Sequence, residues 1–320
     1  MPRDRICLVT GASGFVGRRL CRRLLEGGWS VVAAVRRAAD FSEFDGLRFT
    51  MLSIGEIGSD TVWGNVLEGV DCVFHLAAIS TASGSEVEQL LRMRNVNALG
   101  AKGLARAAVE SGVRRFVYLS TIKVNGESTP IDQPFTEAHI PSPTTPYGIT
   151  KWEAEQTIWY ELNASGRTQG VVIRPPLVYG ENASGNFRLL SKLVGGGVPL
   201  PLSDTDNLRS LIYIDNLIGA LMLCVDHENA TGKTYLISDG TDVSTSEWVG
   251  LMAEGMGKAP RFFYFPVGII RALSGLSGRR EMFDRLFGSL RINDKKIRLD
   301  LGWTPKFSTR EGIARSVAKI

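Results

Sequence analysis

The fold is decided by the segment TGASGFVG, residues 10–17, because it joins a short apolar run to a helical pattern. The apolar run covers residues 6–10 and the helical pattern covers residues 16–26. Glycines recur in the segment with a GxxGxxG spacing, at Gly11, Gly14 and Gly17. Glycines at such positions allow a tight turn and a close backbone approach to a diphosphate, and the helix N-terminus adds N–H donors. In this strand–turn–helix context the segment predicts a dinucleotide-binding site.

Short apolar strands and helical patterns alternate along the first half of the chain. The predicted strands cover residues 6–10, 31–35, 48–52, 72–76, 116–119 and 171–173. The predicted helices cover residues 16–26, 86–111 and 147–163. Strands that are apolar throughout are typical of a parallel sheet buried on both faces, and the alternation indicates helices on both sides. We therefore expect an α/β fold built on a doubly wound parallel Rossmann sheet.

The sequence changes in character after residue 174. Residues 175–197 are rich in Gly, Pro and Asn, which favour loops and often line pockets. We predict a smaller C-terminal α/β substrate-binding lobe, interleaved with the sheet domain, with the chain returning to that domain near residues 211–223. The dinucleotide-binding domain is predicted to comprise residues 1–174 and about 207–240, and the second lobe residues 175–206 and about 241–320.

The composition is that of a soluble globular protein. Of the 320 residues, 44% are hydrophobic and 22% are charged, with a net charge of +4. Basic residues form only short clusters, so we expect no nucleic-acid partner. We see no signal-peptide core and no apolar run long enough to cross a bilayer, so we expect a cytoplasmic protein without an integral membrane segment. The four cysteines form no CxxC pair and have no nearby histidine cluster, which indicates buried reduced thiols and no metal site.

Two arginines follow the second predicted strand, in the stretch VVAAVRR. A site for NAD commonly has a carboxylate here that binds the ribose hydroxyls, whereas an arginine accommodates the ribose 2′-phosphate of NADP. Arg36 and Arg37 therefore favour NADP(H), because a guanidinium suits phosphate geometry. NAD(H) remains possible, and the alternative for the arginines is a pair of solvated surface charges.

The stretch TTPYGITKWEAE predicts the start of a helix with two functional side chains on one face. Thr144 or Thr145 can cap this helix, with Pro146 in its first turn. Tyr147 and Lys151 are four residues apart and therefore lie on the same face. An ammonium beside a phenol lowers the phenol pKa from about 10 towards working pH. Tyr147 is thus a candidate to exchange a proton with a substrate hydroxyl.

These motifs occur in order with HLAA at residues 75–78, NVNALG around Asn97, LST at residues 119–121, RPPLVYG at residues 174–180 and RSLIYIDNL at residues 209–217. Together they resemble the extended short-chain dehydrogenases/reductases of the NAD-dependent epimerase/dehydratase family, over nearly the whole chain. The similarity is to its UDP-glucose 4-epimerase-like members and to its UDP-N-acetylquinovosamine-type 4-keto reductases. The resemblance implies hydride transfer between a nicotinamide and a sugar carbon.

The resemblance assigns roles to residues within these motifs. Tyr147 would be the acid/base, Lys151 would hold the nicotinamide ribose, and Thr121 would hydrogen-bond the reacting oxygen. Thr121 rather than Ser120 takes this position because VNG of this chain aligns with the VYG common in the family. Asn97 falls where the family keeps a structural and relay asparagine. Further cofactor contacts are implied at Ser13, Phe15, Val16, Glu56, Ile57, Leu76, Ala77, Ala78, Tyr147 and Pro175.

On the substrate side, the resemblance points to the enzymes of nucleotide sugars. Asn186 falls where those enzymes contact the sugar nucleotide. Arg209 falls where they clamp its diphosphate, with a surface arginine as the alternative. Arg291, in SLRIND, is a second candidate for this role, and Ser80 joins Thr121 as a further implied substrate contact.

The stretch LSTIKVNG, residues 119–126, has hydroxyls but no acid after them. Family members that dehydrate sugars commonly place an Asp-Glu pair there, and related decarboxylases place a Glu. In this chain the two positions are Ile122 and Lys123. The resemblance therefore implies hydride and proton exchange at one carbon, without dehydration or decarboxylation.

We therefore expect an NAD(P)-dependent enzyme that acts at carbon 4 of a UDP-hexose or UDP-N-acetylhexosamine, as a 4-epimerase or a 4-keto reductase of surface polysaccharide sugar biosynthesis. Arg36 favours the reductase, which needs an exchangeable cofactor. The alternatives are an NADPH-dependent reductase of a non-sugar carbonyl and a non-catalytic dinucleotide-binding sensor. By analogy with the family, we also expect a homodimer formed through the helices at residues 86–111 and 147–163.

Overall fold

The computed structural model describes residues 5–203, 205–276 and 280–318. Its central sheet has seven strands in the order β3-β2-β1-β4-β5-β6-β9, and every pairing is parallel. Two further strands, β7 and β8, pair in parallel with each other in a separate small sheet. The strands are β1 Ile6–Thr10, β2 Ser30–Val35, β3 Phe49–Ser53, β4 Cys72–His75, β5 Arg115–Leu119, β6 Gln169–Arg174, β7 Leu177–Tyr179, β8 Leu211–Tyr213 and β9 Lys233–Leu236. The predicted doubly wound parallel sheet is confirmed.

Helices cover both faces of the central sheet. They are α1 Phe15–Glu26, α2 Glu86–Met93, α3 Gly100–Glu110, α4 Pro146–Ser165, α5 Asn186–Gly195, α6 Ile214–Asp226, α7 Thr245–Gly255, α8 Val267–Leu276, α9 Arg280–Phe287, α10 Lys295–Leu301 and α11 Thr309–Val317. Successive residues of β1 enter opposite cores: Val9 packs with α1 and α6, whereas Leu8 packs with α3 and α4. Burial of both sides of the inner strands β1, β2, β4 and β5 explains why these strands are mostly apolar.

The strand order reverses between β1 and β4, which are direct neighbours in the sheet. Their ends are in register, with Thr10 paired to His75. The glycine-rich turn follows β1 and the stretch HLAA includes the end of β4, so the two loops diverge from one point of the sheet. In doubly wound sheets such a switch point at the carboxyl ends of the strands forms the ligand-binding crevice.

The helix predicted over residues 86–111 contains an irregular segment. Arg94–Leu99 forms a π-helical turn between α2 and α3, and the backbone stays helical across both junctions. A π-helical turn inserts one extra residue per turn and often occurs at functional sites. Here it contains the buried Asn97.

The region after β6 contributes strands to both sheets. β8 pairs with β7 and lies at the start of the stretch predicted to return to the sheet domain. α6 then packs on α1 and β5, and β9 extends the central sheet beside β6. None of β7, β8 and β9, which are three or four residues long, was predicted as a strand.

The described ranges contain neither a helix that could span a membrane nor a cluster of metal-binding side chains. None of the described helices combines the length and the apolar character needed to cross a membrane. Among the same residues, no group of three or more His, Cys, Asp and Glu side chains could hold a metal ion. All four cysteines are described, and each is buried with a free thiol.

Candidate active site

A cleft of about 420 Å³ opens at the carboxyl ends of β1 to β4. Ten of the residues predicted to bind cofactor or substrate line it, namely Gly11, Ser13, Gly14, Arg36, Glu56, Ile57, Leu76, Ala77, Ala78 and Ser80. Ser80, predicted as a substrate contact, thus shares the cleft of the predicted cofactor residues. The cleft also includes residues that the sequence analysis did not select, such as Ile79, Thr81 and Val96. Their signal was available in principle, because each lies in or beside a motif that was quoted.

The glycine-rich turn wraps closely around the start of α1. Gly11 has a φ of +67°, and a Cβ there would lie 2.9 Å from the backbone nitrogen of Ala77. A Cβ on Gly17 would collide with the carbonyl oxygen of Gly11. Both positions therefore exclude a side chain, as the predicted tight turn requires. Phe15 and Val16 begin α1 beside this turn, and Phe15 faces an adjoining second cleft.

A buried hydrogen-bond pair fixes the floor of the cleft. The Thr10 hydroxyl oxygen accepts from the backbone nitrogens of Leu76 and Ala77, at 3.2 Å each. It also lies 2.7 Å from His75 Nδ1, and because its lone pairs are engaged, the hydroxyl donates to this nitrogen. Burial, with a smaller contribution from the charge of Lys151, lowers the pKa of His75 to about 3. His75 is therefore a neutral acceptor that orients the oxygen holding the cleft backbone.

Because burial lowers the pKa of His75, the free energy of unfolding is predicted to depend on pH through this residue. Between about pH 3 and pH 6.5, the unfolded chain binds the proton at this histidine and the folded protein does not, so stability rises with pH across that window and then levels. We expect the free energy of unfolding of the wild type to fall more steeply than that of His75→Gln on acidification, by up to about 1.4 kcal/mol per pH unit. Urea unfolding at several pH values measures the difference, and parallel curves would contradict the assignment.

The residues after β2 and β3 meet at the rim of the cleft. Arg36 Nη1 lies 3.6 Å from Glu56 Oε2, and Arg92 Nη2 approaches the same oxygen at 3.4 Å. All three side chains are exposed to solvent. Arg37, the second arginine predicted to favour NADP, is exposed and lies outside the residues that line the cleft.

The helix with the tyrosine–lysine pair, α4, begins beside the loop that follows β5. Thr145 caps α4 by accepting from the Gly148 nitrogen at 3.3 Å, and Pro146 occupies its first turn, as predicted. A Cβ on Gly148 would lie 2.8 Å from the carbonyl oxygen of Lys123, so the first turn of α4 packs directly on the loop after Thr121. Tyr147 and Thr121 are thereby brought to the same edge of the sheet.

The surroundings of Lys151 differ from those that the sequence predicted. Its ammonium donates to the carbonyl oxygen of Leu119 at 2.6 Å and lies 4.0 Å from the centre of the Tyr118 ring. Burial lowers the pKa of Lys151 to about 7, although the carboxylate of Glu155 acts in the opposite direction. Burial also raises the pKa of Tyr147 to about 12. The predicted lowering of the Tyr147 pKa is therefore wrong in this structure, because desolvation of the phenol outweighs any effect of the neighbouring ammonium.

Asn97 connects the cleft to this helix. Its side-chain oxygen accepts from the Ile79 nitrogen at 2.9 Å. Its amide donates to the Ile79 carbonyl oxygen at 3.0 Å and to the Thr150 hydroxyl at 3.1 Å. The π-helical turn thus aims one buried amide at both the cleft-lining loop and α4.

A buried ionic network supports the loop that contains Thr121. Arg174 contacts Glu155 through Nε at 2.9 Å and Nη2 at 2.6 Å, and both side chains are almost completely buried. The Ser120 hydroxyl also donates to Glu155. Arg174 Nη1 donates to the side-chain oxygen of Asn125 at 2.9 Å. Ser120 is committed to this network, whereas the Thr121 hydroxyl oxygen accepts only a long 3.4 Å bond from the Lys123 nitrogen.

The two positions after Thr121 present no carboxylate of their own. Ile122 is buried, and its nitrogen donates to the Pro175 carbonyl oxygen at 2.9 Å. Lys123 Nζ lies 2.6 Å from Glu127 Oε2, and the Thr145 hydroxyl donates to the other oxygen of Glu127 at 2.9 Å. Glu127 was not predicted from the sequence, because it comes near α4 only when the chain folds back, and both its oxygens are engaged.

Three of the predicted substrate residues, Asn186, Arg209 and Arg291, come after β7 in the chain. Asn186 begins α5 and is half-buried. Arg209 Nη1 donates to the Gly288 carbonyl oxygen at 2.7 Å, and its backbone pairs with that of Leu290. Arg291 follows directly, but its Nε lies 2.7 Å from Asp242 Oδ2 and it also donates to the Ile131 carbonyl oxygen. Arg209 and Arg291 thus lie on neighbouring backbone segments, and each side chain already makes hydrogen bonds within the protein.

The switch-point cleft, the glycine-rich turn and the tyrosine–lysine helix define a nicotinamide-dependent enzyme of the extended short-chain dehydrogenase/reductase class. Comparison with known proteins is more specific. The chain belongs to the NAD dependent epimerase/dehydratase family, whose model matches residues 7–238.

Individual relatives cover nearly the whole chain. A UDP-glucose 4-epimerase of Vibrio cholerae is 37% identical over 319 residues, which are 99% of this chain and 95% of that protein. A 3-beta-hydroxysteroid dehydrogenase of Mycolicibacterium neoaurum is 29% identical over 96% of this chain and 89% of its own length. Among solved structures, MoeE5 in complex with UDP-glucuronic acid and NAD is 26% identical, with a TM-score of 0.77 and coverage of 98% of each chain.

Proposed function

We propose that this protein transfers a hydride at carbon 4 of a UDP-linked hexose or N-acetylhexosamine, as a 4-epimerase or a 4-keto reductase. Tyr147 exchanges the proton of the reacting oxygen, Thr121 hydrogen-bonds that oxygen, and Lys151 binds the nicotinamide ribose. Asn97 holds the loop between the cofactor cleft and α4. The 37% identity to a UDP-glucose 4-epimerase supports the carbon-4 assignment, and the UDP-sugar in the MoeE5 complex supports the substrate class.

The observation that carries this proposal is the loop after β5. It supplies the Thr121 hydroxyl beside α4, while the next two positions hold a buried Ile122 and an ion-paired Lys123. Removing water across carbons 5 and 6 requires an acid and a base aimed at those carbons. The two positions after Thr121 offer no such carboxylate, and Glu127 further along the loop is engaged by Lys123 and Thr145, so redox chemistry at a single carbon is the reaction that the loop supports.

The choice between epimerase and reductase depends on how the cofactor is held. An epimerase returns the hydride to the same sugar and retains its cofactor, whereas a reductase must exchange it. We propose a preference for NADP(H), with NAD(H) possible, because Arg36 occupies the rim position where a carboxylate would bind the ribose hydroxyls of NAD. This preference favours the reductase, whereas the Vibrio relative favours the epimerase.

A second candidate is an NADPH-dependent reductase of a non-sugar carbonyl. The 29% identity to a 3-beta-hydroxysteroid dehydrogenase favours this candidate. The ion pair between Arg291 and Asp242 also favours it, because an arginine that is already paired is less available to a diphosphate. A non-catalytic dinucleotide sensor is less well supported, because such a protein has no need for the positioned tyrosine–lysine helix.

Thermal unfolding in the presence of nucleotides separates these candidates. We expect UDP at about one hundred times its Kd to stabilise the protein by roughly 2.7 kcal/mol, which raises Tm, because a ligand that binds only the folded state shifts the equilibrium by mass action. Uridine, which lacks the diphosphate expected to contact Arg209, is the matched control and should have a much smaller effect. Stabilisation by a steroid but not by UDP would favour the non-sugar reductase.

We also propose a homodimer formed through the helices that flank the cleft. Leu91, Leu99 and Tyr160, on α2, the π-helical turn and α4, are exposed apolar or aromatic side chains, which supports a covered face in solution. Analytical ultracentrifugation tests this, and a monomer at micromolar concentration would contradict it.

A further inference from the structure

Two guanidinium groups from distant parts of the chain converge on one carboxylate oxygen at the cleft rim. Arg36 lies just after β2, Glu56 lies after β3, and Arg92 lies in the last turn of α2. Both arginines approach Glu56 Oε2, at 3.6 Å and 3.4 Å. Neither contact is short, and the side chains are 58% and 51% exposed, so the three groups can separate without unfolding the surrounding structure.

Packing fixes the helical segment that contains Arg92 against the loop after β3. Arg92 precedes Val96, which lines the cleft, by four residues, so both lie on similar faces of the helical segment. The loop after β3 is fastened to this segment by a 3.2 Å bond from the Ser59 nitrogen to Asn95 Oδ1. Gly100 lies against Ile57 so closely that any side chain there would collide with it. Arg92 and Glu56 are therefore held on rigid elements that face each other.

The charges of this arrangement fit a phosphate better than a carboxylate. A terminal phosphate presents three acceptor oxygens and nearly two negative charges, which matches two guanidinium groups. A single carboxylate between two arginines leaves one positive charge uncompensated. The rim is also where the ribose 2′ position of a dinucleotide is read in this fold, by the residue after the second strand.

We propose that Arg92 and Arg36 together clamp the ribose 2′-phosphate of NADP(H), and that the Glu56 carboxylate occupies the phosphate position until the cofactor binds. Arg92 is thus a specificity-determining residue for the cofactor, supplied by α2 rather than by the strand ends. This inference rests on the proposed preference for NADP(H). When the phosphate enters, Glu56 leaves the arginines, and both guanidiniums donate to phosphate oxygens.

Calorimetric titration of the full chain with 2′,5′-ADP and with 5′-AMP tests the clamp. We expect the wild type to bind 2′,5′-ADP more tightly than 5′-AMP. Arg92→Ala should weaken 2′,5′-ADP binding by about five- to tenfold and change 5′-AMP binding by less than about twofold. Arg92→Lys keeps the positive charge but loses the planar set of donors, so its affinity for 2′,5′-ADP should lie between those of the wild type and Arg92→Ala. Arg106→Ala, at an exposed arginine of α3 that pairs with Glu161, is the matched control and should bind both nucleotides as the wild type does.

The Glu56→Gln variant tests whether the Glu56 carboxylate occupies the phosphate position before the cofactor binds. Removing the competing charge should tighten 2′,5′-ADP binding, and a weakening of that binding would overturn this role. Unchanged 2′,5′-ADP binding in Arg92→Ala, together with weakened binding in Arg36→Ala, would overturn the part assigned to Arg92 and leave the NADP(H) preference intact. Equal binding of both nucleotides by the wild type would overturn the NADP(H) preference and the clamp together.

Discussion

Replacing Tyr147 with phenylalanine is expected to lower kcat by about 10²- to 10⁴-fold, the usual contribution of a positioned acid or base. The phenol is held at the first turn of α4, and burial raises its pKa to about 12, so it carries its proton at neutral pH. A protonated phenol is suited to deliver a proton to an oxygen that gains negative charge as hydride arrives at the carbon. Steady-state turnover of the wild type and of Tyr147→Phe measures the effect.

The control for this experiment lies on the same helix. Tyr160 is 70% exposed, and Tyr160→Phe should retain the activity of the wild type. Binding of NADPH to Tyr147→Phe, followed by fluorescence, should remain close to that of the wild type, because all the residues that line the cofactor cleft are unchanged. Near-normal turnover in Tyr147→Phe would remove Tyr147 from the chemistry and would contradict every enzymatic role proposed for it.

The second large effect is expected at Glu155, which supports the loop that contains Ser120 and Thr121. Its carboxylate accepts from Arg174 and Ser120, and the ion pair is almost completely buried. Removing one partner of such a pair leaves an uncompensated buried charge, which typically costs about 3–5 kcal/mol of folding free energy. Glu155→Gln should lose about 3 kcal/mol, near the lower limit, because the amide oxygen can still accept from Arg174. Equilibrium unfolding in urea gives this value.

A matched substitution on α7 removes a carboxylate from an exposed ion pair instead of a buried one. Glu254 pairs with Arg310, and both side chains are largely exposed to solvent. Glu254→Gln should therefore unfold close to the wild type, since exposed ion pairs contribute little. If Glu155→Gln and Glu254→Gln unfolded alike, the buried network would not be what holds the loop with Ser120 and Thr121 in place.

The parts of the fold that follow local rules could be predicted from the sequence. The turn at Gly11 and Gly17 was predictable because only glycine fits its close contacts, and the start of α4 because Thr145 and Pro146 are standard first-turn residues. Five of the six predicted central strands match within one residue at each end, because their residues are mostly apolar. The sixth, predicted over residues 171–173, is extended by two residues at its start, where Gln169 and Gly170 lack that signal.

The parts that depend on contacts between distant segments could not be predicted. The pair of Glu155 and Arg174 lies within two quoted motifs, but nothing local shows that the two side chains meet in the core. The same holds for Arg92 and Glu56, which are separated by 36 residues and come together only when α2 packs over the loop after β3. The pKa of Tyr147 was predicted in the wrong direction because spacing reveals the neighbouring lysine but not the burial of the phenol.

The central claim is hydride exchange at carbon 4 of a UDP-sugar without loss of water, and NMR of the sugar product at carbon 4 tests it most directly. The protein is incubated with UDP-N-acetylglucosamine alone and, separately, with a 4-keto-6-deoxy UDP-sugar plus NADPH. We predict either the carbon-4 epimer in the first sample or a carbon-4 alcohol with matching consumption of NADPH in the second. A first product that has lost the elements of water, or no change at carbon 4 in either sample, would contradict the account.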